Sequence, residues 1–118
     1  MIIELENSGL SDGKYTDDVG HVWTVARLIE HAKELDPFEI PLAAIYIGQN
    51  VFAESRTARA IAEHLKRVNE TSLEYPIIMD PDGFIVDGWH RVIKSLVEGR
   101  ETIKVVRFKK MPPWEYQE

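Results

Sequence analysis

The sequence predicts an α+β fold: a small mixed β-sheet with packed helices, forming one domain over residues 1–118. Three observations lead there. Three segments place apolar residues at the helical period, several short apolar runs have strand length, and clusters of Gly, Pro, Asp and Asn separate them. A chain of 118 residues suffices for one ordinary hydrophobic core.

Residues Met1 to Leu5 alternate weakly and predict an edge strand, and Asn7 to Gly20, rich in Ser, Gly and Asp, reads as a loop. The first helix is expected from about Val25 to Leu35, with Val25, Leu28, Ile29, Ala32 and Leu35 on its inner face. Thr24 would cap it, Trp23 with Leu28 would form a hydrophobic staple, and Asp36-Pro37 would end it. His21 and His31 are too far apart for a helical ligand pair and read as surface residues.

Phe38 to Leu42 follows, and Ala43 to Ile47 reads as a buried strand before a turn at Gly48-Gln49-Asn50. Ser55 would cap a second helix through about Val68, burying Ala58, Ile61, Ala62, Leu65 and Val68. Arg59, Glu63 and Arg67, four apart, would form its salt-bridged outer face. His64 has no partner at ligand spacing and reads as structural.

Tyr75 to Met79 and Phe84 to Val86 read as a hairpin around Asp80-Pro81-Asp82-Gly83, with proline second and glycine fourth as a type I turn prefers. The Asp80/Asp82 pair lacks the rest of a calcium-loop pattern, so turn chemistry explains it, and no metal ligand set is assigned. The third helix would bury Val92, Ile93, Leu96 and Val97 and stop at Gly99. Ile103 to Phe108 is the final strand, and the tail 109–118 carries Trp114 and Tyr116, suited to docking on the body or on a partner.

Asp87-Gly88-Trp89-His90-Arg91 stands between the hairpin and the third helix. A glycine there allows a sharp strand-to-helix turn, and the first-turn amides can hold an anion. Cations are disfavoured at that helix end, so His90 and Arg91 together suggest a negative ligand. The predicted site is exposed, with Arg91 reaching the ligand. The plainer reading is that Asp87 caps the helix and Arg91 pairs with a carboxylate. Arg56 and Arg59, in the first turns of the second helix, are further anion-binding candidates beside a solvated-face reading.

The net charge of −6 argues against a protein living on nonspecific phosphate contacts. Duplex DNA would be bound weakly or through a partner protein, with Lys104, Arg107, Lys109 and Lys110 as the local basic cluster. No cysteine is present, which removes disulfides, thiolate metal sites and thiol nucleophiles. This fits a reducing cytoplasm. The N-terminus lacks the pattern of a signal peptide, and no apolar run reaches membrane-spanning length, so no membrane partner is expected.

The stretch Tyr75 to Phe108, with hairpin, glycine box, helix, Gly99 turn and closing strand, resembles the core of the ParB/sulfiredoxin superfamily. With the segment Ile40 to Ile45 and the second helix, the resemblance spans about residues 38–108. Sulfiredoxins look like Gly-Cys-His-Arg in this box, with cysteine attacking and the helix end holding ATP phosphate. Here Trp89 stands at the cysteine position, which excludes that chemistry. ParB-type domains have Gly-Glu-Arg-Arg or a near variant and bind a cytidine nucleotide that switches a DNA clamp. Gly88 and Arg91 match, while Trp89 and His90 depart.

The resemblance implies a nucleotide- or phosphate-binding module of phage, plasmid or prophage type. Its ligand would be of the CTP or ATP/ADP class with Mg2+, with DNA-processing partners or a homodimer in prospect. Gly88, Trp89, His90, Arg91 and Arg56 would line the ligand site. Two other classes stay open: a ParB-like enzyme, nuclease or nucleotide-dependent kinase, and an interaction scaffold that has lost its site. An enzyme needs a general base or a metal-holding carboxylate, for which Asp87 and Glu54 are the candidates.

Overall fold

The computed structural model describes residues 13–45 and 57–118. The expected strand at Met1 to Leu5, the turn at Gly48 to Asn50, and the residues Glu54, Ser55 and Arg56 lie outside the described residues. The element order is β1 (Lys14–Thr16), β2 (His21–Thr24), α1 (Val25–Ala32), β3 (Phe38–Pro41), a 3-10 turn (Leu42–Ala44) and α2 (Ala58–Glu70). There follow β4 (Ile77–Met79), β5 (Ile85–Asp87), α3 (Trp89–Val97), β6 (Thr102–Arg107) and β7 (Tyr116–Gln117).

The strands form two sheets. The larger has the order β3-β6-β4-β5, antiparallel except where β4 and β6 run parallel. Parallel neighbours require a crossover, and the route from β4 to β6 runs through β5 and α3. Side chains on a strand alternate between faces. Ile78 and Val106 therefore point to α1, joining Trp23, Leu28, Ile29 and Phe108 in one core. Ile77, Met79, Ile103 and Val105 point the other way, joining Val92 of α3, Leu42 and Ile45 in a second core. The sheet is covered on both faces, as its near-continuous apolar strands require.

The smaller sheet, β1-β2-β7, is antiparallel throughout. It alters the sequence reading at both ends of the chain. Part of the segment expected as a loop forms β1, with Tyr15 opposite Trp23. The C-terminal tail folds back as β7 on the other side of β2. Trp114 stacks on His21 with ring centres 4.6 Å apart, and Trp23 Nε1 donates to the Pro112 carbonyl at 2.7 Å. Thus the tail docks on the body. His21 is half-buried rather than a surface residue and meets Asp17 at 3.0 Å.

Other boundaries move for local reasons. Helix α1 ends at Ala32, before Asp36-Pro37 is reached, and Thr24 makes no side-chain cap bond because its strand runs straight into the helix. Its amide donates instead to Glu115 Oε2. Of the buried strand expected at Ala43 to Ile47, Ala43 and Ala44 lie instead in the 3-10 turn Leu42–Ala44, and Tyr46 and Ile47 fall outside the described residues; the strand seen here is Phe38–Pro41. Pro41 ends the ladder opposite Thr102. The hairpin turn forms as predicted, with the Gly83 amide donating to the Asp80 carbonyl at 3.0 Å.

The two site-bearing helices are rotated from their predicted faces. Helix α2, capped by Thr57 Oγ1 on the Ala60 amide, buries His64 and Val68. Ile61 and Leu65, expected inside, are 48% and 56% exposed. Arg59, Glu63 and Arg67 form no ion pair with one another among the described residues, where the pair along α2 is Lys66–Glu70 at 4.0 Å. Helix α3 buries His90, Arg91, Val92 and Ser95, while Leu96 and Val97, also expected inside, are exposed. Gly99, at φ +71, ends that helix as expected, its amide donating to the Leu96 carbonyl.

Candidate functional site

The site begins at Gly88, the N-cap residue of α3, in the left-handed conformation at φ +114. This region strains any residue with a β-carbon. A Cβ on Gly88 would also lie 2.6 Å from Ile77 Cγ2 and 2.9 Å from Ile77 Cβ. Glycine is thus required twice, by the turn and by the seating of α3 on β4. The Gly88 carbonyl accepts from the Arg91 and Val92 amides and starts the helix. Asp87, buried at the end of β5, and half-buried Trp89, packed against the core that contains Val92, flank the glycine.

Arg91 occupies a different place from the one expected. It is 0% exposed, so it does not stand open to solvent at the helix end. Its Nε donates to the Ser72 carbonyl at 3.1 Å, and its guanidinium lies 5.7 Å from the Tyr75 ring centre. One turn on, Lys94 Nζ donates to the carbonyls of Asn69 and Thr71, at 3.1 and 2.7 Å. Cations are favoured at a helix C-terminus, where carbonyls lack amide partners. Arg91 and Lys94 therefore tie the exit of α2 to α3. This explains why Arg91 is needed near the first turn without assigning it to a ligand.

His90 is the group that joins the two helices at the site. Its Nε2 lies 3.0 Å from His64 Nδ1, with both residues buried. The rings are tilted by 27° with centres 5.3 Å apart, so they meet nitrogen to nitrogen rather than face to face. One ring must donate and the other accept. Burial pushes His90 down to about 4, with His64, Arg67 and Arg91 adding to the effect. His64 is lowered as well, first by burial and then by Arg67, against Glu63. The pair is neutral at pH 7.

Glu54 and Arg56 fall outside the described residues, so the structure assigns them no place. Among the described residues no group of three or more His, Asp or Glu is placed to hold a metal ion. No helix there is long and apolar enough to cross a membrane. Of the basic cluster, Lys104 donates to the Glu74 carbonyl and Arg107 to the Pro81 carbonyl, leaving Lys109 and Lys110 exposed at the chain's turn out of β6. His64, read from the sequence as structural, is buried against His90, while Ser72, Tyr75 and Lys94 were not assigned to the site. Their only signal is the helical spacing of Arg91 with Lys94, which aligns two cations toward one neighbour. No known protein family, curated protein or solved structure matches the chain.

Proposed function

We propose that this chain is a ParB-like module that binds a nucleotide or phosphate at the start of α3. The observation that supports the reading best is the junction itself. A hairpin strand delivers the chain at Gly88 into the left-handed conformation and straight into a nine-residue helix. The first turn of such a helix offers amides to an anion. His90 and Trp89 stand beside it, the one neutral and paired, the other half-buried with an aromatic face suited to a base. In this reading the dipole and amides of α3 hold the phosphate, and Arg91 sets the angle of the helix from within.

The acidic chain binds DNA weakly in this reading and reaches it through a partner. The test is a thermal-shift screen of CTP, ATP, ADP and inorganic phosphate, with and without Mg2+. A ligand selective for the native state stabilises it by RT ln(1 + L/Kd) at free ligand concentration L, so the melting temperature keeps rising with the logarithm of ligand concentration. Trp89→Ala should lower the unliganded melting temperature, because Trp89 packs against the core, and should also reduce the ligand-induced shift measured from its own baseline. If none of the nucleotides or phosphate stabilises the protein, the binding reading fails and the scaffold reading replaces it.

A further inference from the structure

A cavity of about 450 Å3 lies against the C-terminal half of α3, away from Gly88. It is bounded by that helix, the 72–74 loop and the paired strands β3 and β6. Its size falls within the range of small-molecule sites. The wall holds both signs of charge, and these groups differ in how far they are already committed. Arg100 Nε donates to Glu98 Oε1 at 2.9 Å, so that pair is neutralised within the wall. Lys94 donates to the Asn69 and Thr71 carbonyls and Lys104 to the Glu74 carbonyl. Neither ammonium meets a carboxylate among the described residues, and the Glu74 carboxylate meets no cation there. Ser95 is part of the same wall, 1% exposed, and its hydroxyl has no hydrogen-bond partner among the described residues.

These commitments select a ligand. A simple anion drawn to Lys94 and Lys104 would face the carboxylate of Glu74, and a simple cation would face the two ammonium groups. A small molecule carrying both charges satisfies both sides. A buried hydroxyl without a partner is costly, and a polar ligand atom at the cavity floor offsets that cost. We infer that this cavity binds a small zwitterion of the α-amino-acid class, its carboxylate toward Lys94 and Lys104 and its ammonium toward Glu74. The position is independent of the anion-binding reading of the α3 N-terminus. With Glu74 exposed and Lys94 and Lys104 half-buried, the charges are screened by water, so the expected affinity is in the millimolar range.

The experiment is an amide-correlation NMR titration of the whole chain with glycine, L-alanine and L-glutamine. Acetate and methylamine, each carrying one of the two charges, serve as controls. Saturable shifts are expected in the amides of residues 72–74 and 94–104 with the amino acids and not with the controls. Glu74→Gln keeps the shape of the side chain, and Lys104→Met keeps most of its stem. Each should weaken binding about tenfold with an unchanged melting temperature. Ser95→Ala should weaken it too while leaving the surface charges intact. The inference is overturned if no amino acid gives saturable shifts there. It is equally overturned if acetate or methylamine binds as well, or if Glu74→Gln and Lys104→Met bind like the parent.

Discussion

His64 Nδ1 and His90 Nε2 meet at 3.0 Å inside the protein, and this contact joins α2 to α3 at the start of the candidate site. It reverses the expected order of burial on α2. A polar imidazole lies inside because a second imidazole satisfies it, while Ile61 and Leu65 remain outside.

The first prediction concerns acid. Both histidines have folded-state values below the ordinary imidazole value, His90 at about 4. Between that value and about 6.5 the unfolded chain binds more protons than the native one, so stability rises with pH across this window. The pair's contribution is fully present above about pH 6.5 and is lost as pH falls toward 4. The parent should lose on the order of 1–2 kcal/mol more than His90→Gln between pH 7 and pH 4.5. Denaturant unfolding of both proteins at the two pH values measures this, and the subtraction cancels the titration of carboxylates. Equal pH slopes would show that the contact does not govern acid stability.

The second prediction concerns Arg91. A buried guanidinium donating to the Ser72 carbonyl is part of the fold, so Arg91→Ala should destabilise the domain by about 3 kcal/mol. Lysine cannot reproduce the planar donor set, and Arg91→Lys should recover only part of the loss. Chemical denaturation checks both. A parent-like midpoint for Arg91→Ala would return Arg91 to the ligand site.

The pattern of apolar residues announced the elements better than it announced their faces. The hairpin around Asp80-Pro81-Asp82-Gly83, the junction at Gly88 and the Gly99 stop were legible because each depends on local backbone chemistry. The short strands of the smaller sheet were not. Lys14–Thr16 has one apolar-faced residue, Tyr15, and pairs with β2 only because β2 is there to receive it. The inner faces of α2 and α3 were misread for a related reason. Hydrophobic periodicity assumes that apolar residues face inward, whereas these helices turn His64 and His90 toward each other and Arg91 toward the loop after α2. No single-sequence signal distinguishes such a satisfied polar seam from a solvated face.

A third prediction follows from Asp80. Its buried carboxylate accepts from the Asp82 and Phe84 amides, both at 2.9 Å, and from the Tyr15 hydroxyl at 2.6 Å. The side chain therefore closes the hairpin turn and bridges the two sheets. Burial, followed by the hydrogen bond to Asp80, raises the Tyr15 phenol above its usual range. Asp80→Ala should cost about 2–4 kcal/mol and Tyr15→Phe about 1 kcal/mol. Tyr15→Phe should cost nothing further in the Asp80→Ala background, which a double-mutant cycle reads directly.

The last prediction tests why residue 88 is glycine. Gly88→Ala adds a methyl that meets Ile77 Cγ2 at 2.6 Å and also holds the backbone at φ +114. Backbone strain of this kind costs about 1–3 kcal/mol, and overpacking adds a similar amount. The two contributions can be separated. Ile77→Ala removes Cγ2, so the double variant should be less destabilised than the sum of the single ones. The remainder left by Gly88→Ala in that background is the strain at Gly88 together with the residual approach to Ile77 Cβ at 2.9 Å. Unfolding midpoints for the four proteins give the coupling. Strict additivity would mean that α3 moves away from β4 to admit the methyl. In that case Gly88 serves the turn alone, and the close seating of the helix on Ile77 is not what demands it.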